Sequence, residues 1–206
     1  MLLNSNWLQG ELIKYSQSQN TTHVSKQTIT KNQHRPANYS GSTTLEADRQ
    51  TVFDNTKIKD LPVLGMMSIP AVKMYNPIIT GYGTNGAYLA VGACTMKPDQ
   101  VMGQGNYALA GHYMDSDTIF HNLNKVTKGI HVYLTDLQHI YVYQVNTINT
   151  ITKYDVNVIN NIPNQQLVTL ITCVQLNETP YRTVVQGNLV KTLPANRQNL
   201  TNYALD

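Results

Sequence analysis

The chain has 206 residues, of which 41% are apolar and 13% charged, and its formal charge is +3. That length favours one domain with room for a small additional element, and the apolar share is enough for a core. The basic residues form no stripe, which argues against nucleic-acid binding, and no run reaches the ~18 apolar residues of a membrane span.

Residues 1–41 are rich in Gln, Asn, Ser, Thr and Lys with little periodicity, which predicts a flexible arm or stalk. Met1 to Gly10 lacks the basic region and apolar core of a signal peptide. Either the protein is cytosolic or the chain begins after an export segment. Thr43-Thr44-Leu45-Glu46 fits a capping box, and Leu45, Val52 and Phe53 share a helical face, so a short helix is expected over 44–57. From Leu61 the pattern becomes strand-like. Met67 to Val72 and Lys73 to Ile79 read as two tightly joined strands, with Pro70 and Pro77 at edges or bends. Tyr107 to Gly111 reads as a short strand and Asp117 to Leu123 as helical turns. His131–Leu134 and His139–Val145 form a hairpin around Thr135–Gln138. Asn146 to Gln166 must contain a long loop, and such loops are often functional. Leu167–Cys173 and Arg182–Val185 are the last strong strands. Short strands at this spacing predict a closed barrel or a sandwich.

Three residues concentrate the chemistry. Cys173 ends the β-branched run Thr169-Leu170-Ile171-Thr172, and a strand end is a position from which a thiol reaches a cleft. A cysteine there is usually a small hydrophobe; a reactive one needs an imidazole or a cation nearby. His112 follows Ala108-Leu109-Ala110-Gly111 and, alone among the six histidines, ends an apolar strand. Gly111 would let a substrate or a loop come close. Arg182 is either a solvated hairpin arginine or a fixed guanidinium able to hold substrate carbonyls and a developing oxyanion. Cys94 and Cys173 permit one disulfide, but the setting of Cys173 favours two free thiols. No metal signature and no phosphate-binding glycine loop is present, and the cluster Gly81-Tyr82-Gly83 with Gly86 reads as a turn.

The pattern resembles the class A sortases, the cysteine transpeptidases of Gram-positive cell surfaces. It carries a TLxTC motif at Thr169–Cys173, an AGH motif at Ala110–His112 and the downstream Arg182 in the family's order. The similarity spans about 60–192 and includes Gly92–Lys97 and Met102–Tyr107. The resemblance implies an all-β fold, an eight-stranded sortase-type β-barrel with short helices and an N-terminal helix. It implies residues 1–58 as a polar stalk and lead-in helix behind a membrane anchor not in this chain, and 59–206 as the catalytic barrel. It implies an LPxTG sorting signal cleaved between Thr and Gly, a thioacyl enzyme on Cys173, and release by an amine of the peptidoglycan precursor lipid II. His112 would act as acid and base, and Arg182 would hold the substrate backbone and the oxyanion, with Thr172 shaping the anion site. Ala110, Val156, Val158 and Ile171 would line an apolar groove for Leu and Pro. The enzyme would work on the extracellular face of the membrane, touching it only through the anchor. Cys94 would be a bystander near the groove.

No cofactor is implied. Some family members order the long loop with calcium held by carboxylates. The matching positions here are Lys97, Gln100 and Asn161, none acidic, so calcium is not expected and the ordering of the loop is left without an account. The competing readings are a papain-type hydrolase, which would want a helix starting at the cysteine, a non-catalytic β-barrel binding module with a buried thiol, and a pilin-polymerising sortase, whose lid motif is not evident in residues 1–60.

Overall fold

The computed structural model describes residues 5–40, 53–176 and 179–205. Eight strands, β1 (Val63–Ile69), β2 (Met74–Ile79), β3 (Ala93–Thr95), β4 (Asn106–Ala110), β5 (His131–Thr135), β6 (His139–Thr152), β7 (Leu167–Cys173) and β8 (Tyr181–Pro194), close into a barrel. Their order around it is β1-β2-β3-β4-β7-β8-β6-β5. Closure removes the exposed sheet edges of a sandwich, so the barrel alternative holds. Two contacts are parallel, β2 with β3 and β4 with β7. The second brings two apolar strand ends side by side, and it governs the site.

The interior is filled by side chains such as Met67, Ile69, Leu109, Phe120, Leu134, Tyr143, Leu170 and Val185, all buried. Tyr143 lies inside the barrel, and its hydroxyl accepts the Gly103 N–H at 2.9 Å. A turn over Pro70–Val72 separates β1 from β2, with proline at its start. Pro77 occupies the register just before the pairing to β3 begins at Ile78, where a missing N–H costs no ladder bond. The turns expected over 117–123 form slightly later, over His121–Lys125. The strand over 139–145 is longer than expected. It continues to Thr152 because, after a register shift at Asn146, Thr147–Thr152, which reads as a polar loop, pairs with the first half of β8. The loop proper shrinks to 153–166, with one helical turn at Val156–Ile159.

Over its described residues, 5–40, the expectation of a flexible arm or stalk is corrected. Two helices, α1 (Ser5–Thr21) and α2 (Lys26–Gln33), dock on the barrel. Ile13 and Ile29 are buried. Amide side chains supply most of the specific bonds: Gln17 Nε2 donates to the Val91 carbonyl at 3.1 Å, Asn20 Oδ1 accepts the Leu61 N–H at 3.1 Å, and Asn32 Nδ2 donates to the Val63 carbonyl at 2.9 Å. Asparagine and glutamine used this way satisfy backbone groups that would otherwise be orphaned, and they leave no hydropathy period to read. The capping box at Thr43–Glu46 and most of the helix expected over 44–57 lie outside the described residues; 53–55 is helical. A short helix α3 (Arg197–Asn202), capped by Asn196, ends the fold. Among the described residues, no helix is long and apolar enough to cross a membrane.

Candidate active site

The parallel β4/β7 pair sets the first two groups. Ala110 pairs with Ile171 at the end of the ladder. One residue on, the Gly111 N–H donates to the Ile171 carbonyl at 3.2 Å, and the Thr172 hydroxyl donates to the Gly111 carbonyl at 2.8 Å. His112 therefore leaves β4 beside the point where Cys173 ends β7. Its own backbone is held on both sides, the N–H by the Leu89 carbonyl at 3.0 Å and the carbonyl by the Phe120 N–H at 3.3 Å. A loop explains Gly111: a Cβ there would lie 2.9 Å from Ile119 and from Phe120.

Antiparallel pairing supplies the third group. Cys173 stands opposite Arg182 in the β7/β8 register. The guanidinium is anchored through Nη1, which donates to the Thr179 carbonyl at 2.6 Å and the Tyr181 carbonyl at 2.9 Å. Cys173, His112 and Arg182 line one cleft of about 460 Å³.

Ala110, Ile171, Thr172, Val156 and Val158 line that same cleft. Val156 is 66% exposed, which rules out ordinary core packing as its role. The Thr172 hydroxyl is spent on Gly111, so this side chain shapes the cleft from behind, by fixing backbone. The sequence reading missed Tyr39, Tyr82, Leu89, Met96, Ile151 and Lys153, which also border the cleft. Tyr39 comes from the segment read as stalk. Its neighbour Asn38 accepts the Tyr82 N–H at 2.7 Å and donates to the Gly83 carbonyl at 3.2 Å. Gly81 is left-handed (φ 62°) and passes so close that a Cβ would sit 2.7 Å from the Asn38 oxygen. The glycine cluster is thus a turn, as expected, and also the seat of an N-terminal strap. Its glycines were the one available signal.

Burial and charge set the protonation states. The His112 imidazole is pushed down from 6.5 to about 4, first by burial and then by repulsion from Arg182. Burial pushes the Cys173 thiol above its ordinary 9.0, and the guanidinium opposes part of that rise. Thiol and imidazole thus rest as a neutral pair at neutral pH. Both cysteines are free. Cys94 is fully buried on β3 opposite Ala110, and burial drives its thiol well above the ordinary range, so it packs behind the cleft wall as an inert hydrophobe. Among the described residues, no group of three or more His, Cys, Asp or Glu side chains could hold a metal ion.

A barrel that delivers a thiol and an imidazole from a parallel strand pair, beside an anchored guanidinium, defines a cysteine-dependent acyl-transfer enzyme. Residues 67–190 match the sortase domain, and the chain belongs to the sortase family. It is 36% identical to sortase A of Listeria monocytogenes over 93% of this chain and 86% of that protein. It is 37% identical to sortase A of Streptococcus agalactiae over 83% of this chain and 71% of that protein. The solved structure of Listeria monocytogenes sortase A superposes with a TM-score of 0.66 at 41% identity, covering 70% of this chain and 98% of that one. The protein is a cysteine transpeptidase. These relatives do not favour the non-catalytic module or the pilin polymerase.

Proposed function

We propose that this sortase cleaves an LPxTG-type sorting signal between threonine and glycine and joins the threonine to an amine of lipid II, with Cys173, His112 and Arg182 as its reacting groups. The observation that carries the reading is the convergence of those three side chains on one cleft from three different strand ends. A proton first passes from the Cys173 thiol to the His112 imidazole. The thiolate then attacks the threonine carbonyl; a C–S bond forms, the C–N bond breaks, and the imidazolium gives its proton to the departing glycine amine. The acceptor amine attacks the thioester, its proton passes to His112, and the thiolate leaves. Arg182 favours the thiolate and stabilises the oxyanion. The same positive charge opposes the imidazolium, so the ion pair is a minor species that forms on demand.

Ala110, Ile171, Val156 and Val158 form an apolar surface suited to the leucine and proline of the signal, with Thr172 steadying the backbone behind the anion site. The reading assigns the enzyme to the extracellular face of a Gram-positive membrane, held by an N-terminal anchor of the kind the family resemblance implies. No cofactor is needed for these steps. Mass spectrometry of the protein mixed with a sorting-signal peptide and an amine tests the reading. A thioester adduct on Cys173 followed by the amide product is the expected result, and Cys173→Ala should form neither. Cleavage by that variant at the wild-type rate would refute the assignment.

A further inference from the structure

The loop that carries Val156 and Val158 is held from outside the cleft. Asn106, at the start of β4, is 1% exposed and uses its amide completely. Its Nδ2 donates to the Val158 carbonyl at 3.0 Å and the Asn160 carbonyl at 3.1 Å, while its Oδ1 accepts the Thr169 hydroxyl at 2.6 Å. Both loop partners are carbonyls, so only the NH2 group can face them, and the orientation of the amide is fixed by chemistry. The Asn106 backbone N–H adds a bond to Asn161 Oδ1 at 2.9 Å. Lys97 closes the arrangement from the rim: its ammonium donates to that same Oδ1 at 2.8 Å and to the Ile159 carbonyl at 2.7 Å. Four successive loop residues, 158–161, thus accept hydrogen bonds from the Asn106 and Lys97 side chains and the Asn106 backbone, and Gln186 Nε2 adds a longer one to the Val158 carbonyl at 3.4 Å. The Thr169 hydroxyl in turn ties Asn106 to the strand that ends in Cys173.

Resting on the functional reading above, we propose that Asn106, with Lys97 as its outer partner, is a positioning residue for peptide recognition. The pair holds the valine-bearing wall of the groove over Cys173 before any peptide arrives, and neither side chain borders the cleft. A preset loop spares the peptide the cost of ordering it. The effect belongs in KM rather than in the bond-breaking steps.

Asn106→Asp, whose carboxylate cannot donate to two carbonyls, and Lys97→Met test this in the full chain. Each is assayed for kcat and KM with an LPxTG peptide, for alkylation of Cys173 by iodoacetamide, and for amide exchange over 156–161. The expected result is a KM rise of roughly tenfold, the scale of one charge-assisted hydrogen bond, with faster loop exchange and with kcat and alkylation within about twofold of wild type. An unchanged KM in both variants overturns the proposal, as does an equal fall of kcat and alkylation, which would mean that the whole site has collapsed. Lys97 lies at the surface rim, so its variant decides the matter if the buried substitution prevents folding. Failure of the functional reading looks different: the wild type itself would neither cleave nor acylate.

Discussion

Arg182 acts on both partners of the thiol–imidazole pair at once, lowering the thiol and lowering the imidazole. Lysine could supply the charge but not a planar fork that grips two backbone carbonyls and still presents donors to a substrate. Arg182→Lys should reduce kcat/KM by about two orders of magnitude while the peptide is still cleaved slowly; full activity in a steady-state assay would remove the oxyanion role. His112 carries a pH prediction. Its pKa is about 4 in the folded chain and 6.5 when exposed, so between those values the unfolded chain binds the extra proton and stability rises with pH. The stabilising share is complete above 6.5 and is lost as pH falls toward about 4. Urea midpoints measured from pH 4 to 7 should therefore shift less for His112→Gln than for wild type. Because the neutral pair contains the same total number of protons as the ion pair, kcat/KM should stay flat from above about 4 to the region of the thiol's raised pKa; a rate that climbs steeply through pH 7 would contradict the neutral resting pair.

At the scale of elements, the N-terminal segment departs furthest from its sequence expectation. Helices α1 and α2 hold on through one buried isoleucine each and a set of amide bonds to barrel carbonyls and N–H groups. Ile13→Ala should cost about 2–4 kcal/mol in chemical denaturation; a freely moving stalk would show no loss. The strap that follows brings Tyr39 to the cleft. Removing its ring by Tyr39→Ala should change KM for the signal peptide several-fold without changing the thermal midpoint, and identical kinetics would mean that the ring merely lies near the site. The end of β6 illustrates the opposite error. Thr147–Thr152 alternates Thr, Asn and Ile, which looks like loop in isolation, yet it pairs residue for residue with β8. Pairing with a partner strand overrode a polar composition, as local propensity is often overridden in sheets.

For the whole molecule, the rim ammonium of Lys97 and the buried amide of Asn106 bond the loop that, by family resemblance, other members order with calcium-binding carboxylates. A chelator should leave the wild-type rate unchanged, and strong inhibition in a peptide-cleavage assay would refute that account. The strands with apolar, β-branched runs, such as 167–173 and 131–135, were legible from the chain because their burial writes a pattern into neighbouring residues. Cys173, His112 and Arg182 were legible for the same reason: each ends or begins such a strand, and the AGH and TLxTC motifs mark the ends. Tyr39, Met96 and Asn106 were not, since nothing in their immediate neighbours differs from an ordinary polar or apolar position.

By itself, then, the order of residues marked most of the strands, the candidate reacting groups and the family they resemble, all of which depend on short-range patterns. Only the tertiary structure decided that β4 and β7 run parallel, that Arg182 faces Cys173, that the polar N-terminal region docks, and that Asn106 and Lys97 hold the loop. Those outcomes depend on hydrogen bonds between residues far apart along the chain. Such bonds leave no periodic trace, because a single amide meeting a single carbonyl satisfies them.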